Sequence, residues 1–459
     1  MTLPDLGTSS EGAGTNLRSP YRLAEPRALS TLQIPASQSQ MKGPIARSTI
    51  HTTFILGLYS LVQAGTLLLV ARMLGPYQFG AFAGIASLAV LLGTVSTFGT
   101  NIVLLGEVAK APSRREQILP YAIPTTFLCG GVLLAIYLAI CTLALRIASV
   151  PWLVLLAIGF TELWLQPLFS LAVYEHHGLG RIARSQLLKI LPLALRLAAA
   201  AGIFLAHASD PLAAYAYVYP ALSLLAFIFA TKTLPSAWPT LRQWRKPSIA
   251  ELREAAGYAT LAITASGPGE LDKTLAAKLL TLPAAGVYSA GARVIVVTTL
   301  PVNAMLTSAL PRLFREGRDQ PERTSHLLLW IFGATFVYML VITATLWMIA
   351  PIFEWLFGAK YHGLGQTIRW LCLAVPGLAL RMVAGTIMMA LGKPWVRVGF
   401  EITGLVVLVV AAVAFTARFG VLGMPLALAC SEWAMAAIGV ALILSHMTPP
   451  LTRSKPRPE

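Results

Sequence analysis

Six basic residues lie inside or beside long apolar stretches of the sequence: Lys189, Arg196, Lys273, Arg293, Arg369 and Arg381. A lysine or arginine near the centre of a bilayer costs about 2.5–3.5 kcal/mol on insertion scales, so such residues usually face a wet cavity or a charged partner. Cations in an apolar setting can bind a phosphate or another anion that hydrocarbon would exclude. These residues therefore predict the binding of an anion inside a membrane.

We predict that four of these cations bind substrate: Arg293, Arg381, Arg196 and Lys273. Arg293 follows small residues that would let a bulky anion approach, and it is the first choice. A cap or a pair with a carboxylate of the preceding helix is its alternative. The alternative for Arg381 is a buried pair with Glu401 or Glu432, and for Arg196 a pair with Glu162. We interpret Lys189 as extending to the cytoplasmic surface and Arg369 as surface-exposed.

The segment from Ser266 to Lys273 is unusual among the apolar stretches. Gly267, Pro268 and Gly269 predict a break or kink in a helix, directly before Glu270, Asp272 and Lys273. We expect a hinge here, with a carboxylate cluster that responds to protons or ions. The alternative is a same-face pair between Glu270 and Lys273, which are three residues apart.

Composition indicates the class of protein. The chain has 459 residues, of which 56% are apolar and 12% charged, and its mean hydropathy is +0.70. These values exclude a disordered scaffold, a coiled coil and most soluble enzymes, and they give no reason to expect nucleic-acid binding. Sections of about 20 apolar residues predict twelve membrane-spanning helices at 45–71, 79–105, 118–145, 150–174, 185–206, 212–231, 251–280, 284–311, 325–350, 366–391, 396–417 and 421–446.

The distribution of basic residues predicts the orientation. With twelve spans and both termini in the cytoplasm, 24 Lys and Arg fall on inner segments and five on outer loops. This bias follows the positive-inside rule, and a wrong helix count would scramble it. We expect no cleaved signal peptide, and we expect residues 1–44 and 449–459 to be cytoplasmic tails, the first of them disordered.

An internal repeat divides the predicted helices into two halves. The run from Ala71 to Phe82 is echoed 206 residues later from Ala277 to Tyr288, with the basic residue, the apolar pair, the glycine and the aromatic in place. Six helices separate the copies, so both halves have the same orientation, as in parallel-repeat transporters. We predict an all-α membrane protein with six-helix bundles at 45–232 and 251–448, joined by an interfacial linker at 233–250.

Signals for catalysis or a metal are lacking in the sequence. The seven histidines are scattered without metal-ligand spacing, and the four cysteines lie in apolar runs and are interpreted as buried thiols. The outer loops are too short for a catalytic domain. We therefore expect no catalytic residues, no metal and no cofactor, and these features disfavour a membrane polymerase, ligase or glycosyltransferase.

The motifs support a family resemblance. Ala71-Arg72-Met73-Leu74-Gly75-Pro76 with Phe79-Gly80, and Asp272-Lys273 ahead of Gly286-Val287-Tyr288-Ser289-Ala290, resemble Wzx-type flippases of polysaccharide biosynthesis, within the multidrug/oligosaccharidyl-lipid/polysaccharide exporter superfamily. The resemblance covers residues 45–446 and implies a MATE-like fold. It also implies flipping of an undecaprenyl-pyrophosphate-linked oligosaccharide from the inner to the outer leaflet of a bacterial inner membrane, for exopolysaccharide, O-antigen or capsule.

Two questions stay open at the level of sequence. A multidrug or cation antiporter of the same superfamily is the main alternative function. It is disfavoured because the interiors of the first, third, fifth and sixth predicted helices lack carboxylates and the fifth is basic. Membrane lipid is an expected partner, and polymerase and chain-length-control proteins are candidate partners, but the residues leave open whether the protein works with them.

Overall fold

The computed structural model describes residues 44–145, 150–306 and 321–447. Contacts between Cα atoms separate the chain into two units, Met1–Ile50 and His51–Glu459. In the first unit only residues 44–50 are described, and they are helical. The predicted tails at 1–44 and 449–459, apart from Pro44, lie outside the described residues, as do the basic residues Arg312, Arg315 and Arg318.

Seven helices form the described part of the N-terminal half: α1 Pro44–Ser96, α2 Thr100–Lys110, α3 Arg115–Ala139, α4 Trp152–Phe160, α5 Gln166–Gly178, α6 Ile182–Leu205 and α7 Pro211–Lys232. A π-helical turn, Ile140–Leu145, extends α3. A second π-helical turn, Thr161–Leu165, joins α4 and α5 into one continuous rod, Trp152–Gly178. Such turns are rare and frequently occur at functional sites.

Seven further helices follow the linker: α8 Ile249–Leu279, α9 Leu282–Val297, α10 Pro321–Phe357, α11 Leu364–Leu371, α12 Val375–Ala390, α13 Pro394–Phe419 and α14 Gly423–Met447. Residues 300–306 are also helical. Ser248 caps α8, since its hydroxyl accepts from the backbone N–H of Glu251 and the Glu251 carboxylate accepts from the backbone N–H of Ser248. The largest apolar core draws residues from both halves.

The expectation of an all-α membrane protein is confirmed. In the described ranges, nine helical stretches are long and apolar enough to cross a membrane. Two of these stretches, Gly57–Ser96 and Pro394–Ser445, each contain two consecutive helical segments. Helix α8 has 31 residues, so it is also long enough to cross, although it is more charged than the nine. Helices thus coincide with all twelve predicted segments, and twelve crossings stay a prediction.

The repeat has a structural counterpart where the two halves touch. Gly75, with φ 67°, interrupts α1, and the turn between α8 and α9 lies at the equivalent place in the second half. A side chain at Gly80 would overlap the carbonyl oxygen of Leu282, and one at Gly286 would overlap that of Pro76. The 206-residue shift takes Gly80 to Gly286 and Pro76 to Leu282, so the two contacts are equivalent and the contact is reciprocal. Reciprocal contacts are what a two-fold relation between two repeats produces.

A methyl group at this contact is expected to be destabilising. Gly286→Ala should lower stability by about 1–3 kcal/mol, because backbone atoms, which cannot rotate away, occupy the space. Thermal unfolding of the detergent-purified protein measures the effect. Gly202→Ala is the matched control: Gly202 lies within α6 with no neighbouring heavy atom within 4 Å of the added carbon, and alanine there should be neutral or stabilising. Equal unfolding temperatures for Gly286→Ala and the wild type would contradict the close contact.

The linker between the halves packs on the protein. Glu175, fully buried on α5, accepts from Arg115 at 2.5 Å and from the Trp238 indole at 3.0 Å. Farther along, Arg245 donates to the backbone oxygen of Gln117 and pairs with Glu251 at 2.6 Å. The linker is thus tied both to the N-terminal half and to the first turn of α8.

Two expectations differ from the structure. Helix α8 runs without interruption through Gly267, Pro268 and Gly269, so a break does not occur there; a kink and the hinge role stay predictions. Cys141 and Cys372 are buried, but Cys129 is partly exposed and Cys430 is exposed. An apolar sequence does not separate a side chain that faces lipid from one that faces the core, and this is why Cys430 was predicted wrongly.

Candidate functional site

Arg196 is held in a buried polar cluster in the N-terminal half. Its Nη2 lies 3.5 Å from Glu162 in the π-helical turn and donates to Ser223 at 3.2 Å. The guanidinium lies over the ring of Tyr219, 3.9 Å from its centroid, and the Tyr219 hydroxyl donates to Glu162. The pair between Arg196 and Glu162, the structural alternative for this arginine, is therefore present.

Arg381 belongs to a buried ion network in the C-terminal half. Its Nε donates to Glu432 of α14 at 2.6 Å, and its Nη1 lies 3.8 Å from Glu401 of α13. Glu401 also pairs with Arg397 at 2.9 Å. Both carboxylates that were named as alternative partners for Arg381 are thus engaged, and the network joins α12, α13 and α14 around two positive and two negative charges.

Lys273 lies in a third cluster, on α8. Its Nζ is 3.3 Å from Asp272 and 3.6 Å from Glu270, and it donates to the carbonyl oxygen of Gly269. The Tyr288 hydroxyl of α9 donates to Asp272 at 2.9 Å. The same-face pair of Glu270 and Lys273 is therefore formed, next to the Gly267–Gly269 segment.

Arg293 differs from the other three predicted cations. It is half-buried on α9, within electrostatic range of Glu270 and of Tyr215 on α7. Among the residues that the structure describes, no carboxylate lies within the 4.0 Å of an ion pair with it. Tyr215 and Glu270 belong to different halves, so Arg293 lies near the boundary between the halves.

A cavity of about 420 Å³ lies between α1, α2, the π-helical turn, α5, α6 and α8. This volume is within the range of small-molecule sites. Of the described residues that line the cavity, two are charged, Glu162 and Lys189. None of the four predicted substrate-binding cations is in the lining. Lys189, which we interpreted as a side chain extending to the cytoplasmic surface, is half-buried and lines the cavity; its extension to that surface stays a prediction.

One wall of the cavity carries a row of polar side chains, of which sequence reasoning named only Glu162. Glu162, Gln166, Ser170 and Tyr174 recur every fourth residue along the rod Trp152–Gly178. This spacing places side chains on one helical face, so it was a readable signal. Helix α1 packs directly against this wall at Gly93, where a Cβ would lie 2.5 Å from the backbone oxygen of Glu162, so only glycine allows this approach.

The charges of the cavity decide what it can accept. Glu162 is already neutralised by Arg196 at 3.5 Å, whereas Lys189 has no carboxylate within 4.0 Å among the described residues. The lining itself carries one negative and one positive charge, and Arg196, paired with Glu162 from outside the lining, adds a second positive charge, so the cavity and its immediate surroundings are net positive and rich in hydrogen-bonding groups. It can accommodate a polar, anionic group better than an organic cation.

Comparison with known proteins identifies the family. A family model described as "Polysaccharide biosynthesis protein" matches residues 45–316, more than half of the chain. The chain belongs to the polysaccharide biosynthesis protein family. This confirms the resemblance to Wzx-type flippases. No protein of curated function is recognisably similar to this member of the family in sequence.

Solved structures show the fold of this polysaccharide biosynthesis protein. An inward-facing multidrug resistance MATE family transporter of the MOP superfamily superposes with a TM-score of 0.67 at 15% identity, covering 84% of this chain and 94% of the other. An outward-facing MATE structure gives 0.59 at 16% identity, covering 87% and 94%. A MOP superfamily transporter from Pyrococcus furiosus gives 0.58 at 14% identity, covering 86% and 93%. The MATE-like fold is confirmed, and the chain is a multi-pass membrane protein of the polysaccharide biosynthesis protein family.

Proposed function

We propose that this protein flips undecaprenyl-pyrophosphate-linked oligosaccharides from the inner to the outer leaflet of a bacterial inner membrane, for exopolysaccharide, O-antigen or capsule synthesis. The two halves, 45–232 and 251–448, alternate access to a central path, with the 233–250 linker and both termini in the cytoplasm. The family match supports polysaccharide biosynthesis, and the MATE-like fold supports transport.

The charge of the cavity is the observation that carries this proposal. A pyrophosphate and several sugar hydroxyls cannot enter hydrocarbon, where each unpaired polar group costs several kcal/mol. The cavity offers neutral hydrogen-bonding side chains and one uncompensated cation, Lys189. The one carboxylate in the described lining, Glu162, is paired with Arg196. A polar headgroup with negative charge would therefore find partners there while its prenyl chain stays in lipid.

Export of an anion has an electrical advantage. Moving net negative charge out of a cell with an inside-negative potential gains about 2.3 kcal/mol per charge per 100 mV. This holds as long as the charge is not neutralised on the way. Arg196, Arg381 and Lys273 are each engaged in an ion pair. Of the four predicted cations, Arg293 is therefore the best placed to bind a phosphate between the halves. We propose that Arg293 binds it and that the other three cations position helices.

A multidrug or cation antiporter is the second candidate function, and the MATE structures are the observation that favours it. A cation pump needs an accessible carboxylate, and the lining of the described cavity offers only Glu162, which is engaged. The P. furiosus transporter is described as having a binding pocket of reverse polarity that suggests a different function. A positive cavity on this fold would likewise suit a different cargo.

Deletion of the gene in its own host separates the two functions. We expect lipid-linked oligosaccharide to accumulate on the cytoplasmic side and surface polysaccharide to be lost, with unchanged susceptibility to cationic drugs. A plasmid copy should restore the polymer, and lysates should show whether polymerase and chain-length-control proteins co-purify. Increased drug susceptibility with normal polysaccharide would reverse the assignment in favour of the antiporter.

A further inference from the structure

Lys189 is an ammonium group without a described counter-ion. Its Nζ lies 6.0 Å from the centroid of the Tyr174 ring, and no carboxylate is within 4.0 Å of it among the described residues. By contrast, Arg196, Arg381 and Lys273 each have a carboxylate within 3.5 Å. A half-buried ammonium group without an internal carboxylate partner is available to accept an anion from outside.

The depth of Lys189 suits a lipid phosphate. Helix α6 begins at Ile182, seven residues before Lys189, so the lysine lies about 10 Å along the helix from that end. The hydrocarbon core is about 30 Å thick, with headgroup layers outside it. In the orientation proposed above, Lys189 therefore lies in the cytoplasmic third of α6, nearer to the inner-leaflet phosphates than to the outer-leaflet ones. A prenyl-linked phosphate can reach it without first crossing the core.

The side chains next to Lys189 suit sugars. Ser170 lies one helical turn from Tyr174 and Gln166 lies two turns from it, on the same wall. The Gln166 amide makes no hydrogen bond to any described residue, so its donors and acceptor are available. The Ser170 hydroxyl donates to its own helix at Pro167 and can still accept. Tyr174 presents a flat, partly apolar ring with a polar end.

We propose that Lys189 binds the diphosphate of the incoming lipid and that Gln166, Ser170 and Tyr174 bind its first sugars. This loading site deepens, and rests on, the proposed flippase function. It places the phosphate at the mouth of the cavity and the glycan toward Glu162. Arg196 stays bound to Glu162 during loading, so the deep end of the cavity remains neutral.

Binding of a short prenyl pyrophosphate tests the phosphate half of the site without any transport assay. Farnesyl pyrophosphate is titrated into the purified full-length protein, with farnesol and inorganic pyrophosphate as separate probes. Lys189→Gln should weaken farnesyl pyrophosphate binding about tenfold or more, since one charge-assisted hydrogen bond is lost. Lys189→Arg should retain most of the affinity, and farnesol binding should not change. Binding of inorganic pyrophosphate alone, equally sensitive to Lys189→Gln, shows that the headgroup suffices.

Lys246→Gln is the matched control, because it removes the same charge from an exposed lysine of the linker. If Lys189→Gln binds farnesyl pyrophosphate as tightly as Lys246→Gln does, the phosphate site is wrong, whether or not the protein flips lipids. Gln166→Leu should leave farnesyl pyrophosphate binding intact and reduce polysaccharide export; normal export in that variant overturns the sugar half. If the wild-type protein exports no polysaccharide, the proposed flippase function is wrong. The binding measurement would then still decide whether Lys189 binds a prenyl pyrophosphate.

Discussion

The Arg381→Gln protein is expected to lose about 3–5 kcal/mol of unfolding free energy. Removing one partner of a buried ion pair leaves an uncompensated charge in a medium that solvates it poorly. Here the arginine is 7% exposed, and both Glu432 and Glu401 are 1% exposed. Thermal unfolding in detergent, read by size-exclusion chromatography, should show a large drop in midpoint. Polysaccharide export should fall in parallel with the amount of folded protein.

A double substitution separates lost charge balance from lost volume. Arg381→Met combined with Glu432→Met removes the pair and leaves Glu401 with Arg397 at 2.9 Å. Replacing a buried pair by apolar side chains of similar size is often neutral or stabilising, so the double variant should unfold near the wild-type midpoint. An Arg381→Gln protein as stable as the wild type would show that Arg381 has no structural role and would return it to the list of substrate-binding cations.

Arg293→Gln is expected to have the opposite profile. Because no described carboxylate pairs with Arg293, its charge can be removed without stranding a partner, and the unfolding midpoint should stay close to that of the wild type. Export should fall about tenfold or more, since a hydrogen bond between charged groups is worth about 1.5–3 kcal/mol. Arg293→Lys should keep part of the export because the charge remains, although the bidentate geometry is lost.

The two arginines therefore form a matched pair of experiments. Arg381→Gln should lose stability first and export as a consequence, whereas Arg293→Gln should lose export at constant stability. Full export by Arg293→Gln would exclude a phosphate contact at this residue. A stability loss as large as that of Arg381→Gln would show that Arg293 also has a structural partner.

The helices and several ion pairs could be predicted from the sequence. Long apolar runs have few alternatives to a helix in lipid, and this is why the predicted segments coincide with helices. A buried cation must find a carboxylate, and few carboxylates lie in the apolar runs, so Glu162, Glu401 and Glu432 could be named as partners. The sequence could not show which of the candidate cations pair with a carboxylate, because this depends on the rotation of each helix.

The cavity itself could not be located from the sequence. Its lining comes from six separate segments, and a π-helical turn at Thr161–Leu165 changes the phase of the helix that carries Glu162. Lys189 was assigned to the surface because it is close to a helix end, where lysines commonly extend to water. Only the position of α6 relative to α5 and α1 in the structure shows that the Lys189 side chain, at this depth, faces a cavity. The row of polar residues at every fourth position from Glu162 was the signal that could have indicated it.

Translocation in reconstituted vesicles is the most direct test of the proposed flippase. The purified protein is placed in liposomes that carry a fluorescent prenyl-pyrophosphate-linked saccharide in both leaflets, and a membrane-impermeant quencher is added outside. Wild-type protein should expose the whole fluorescent pool to the quencher, while Arg293→Gln protein should leave the inner-leaflet pool protected. If wild-type vesicles protect that pool as well as protein-free vesicles do, the protein does not flip lipid-linked saccharides.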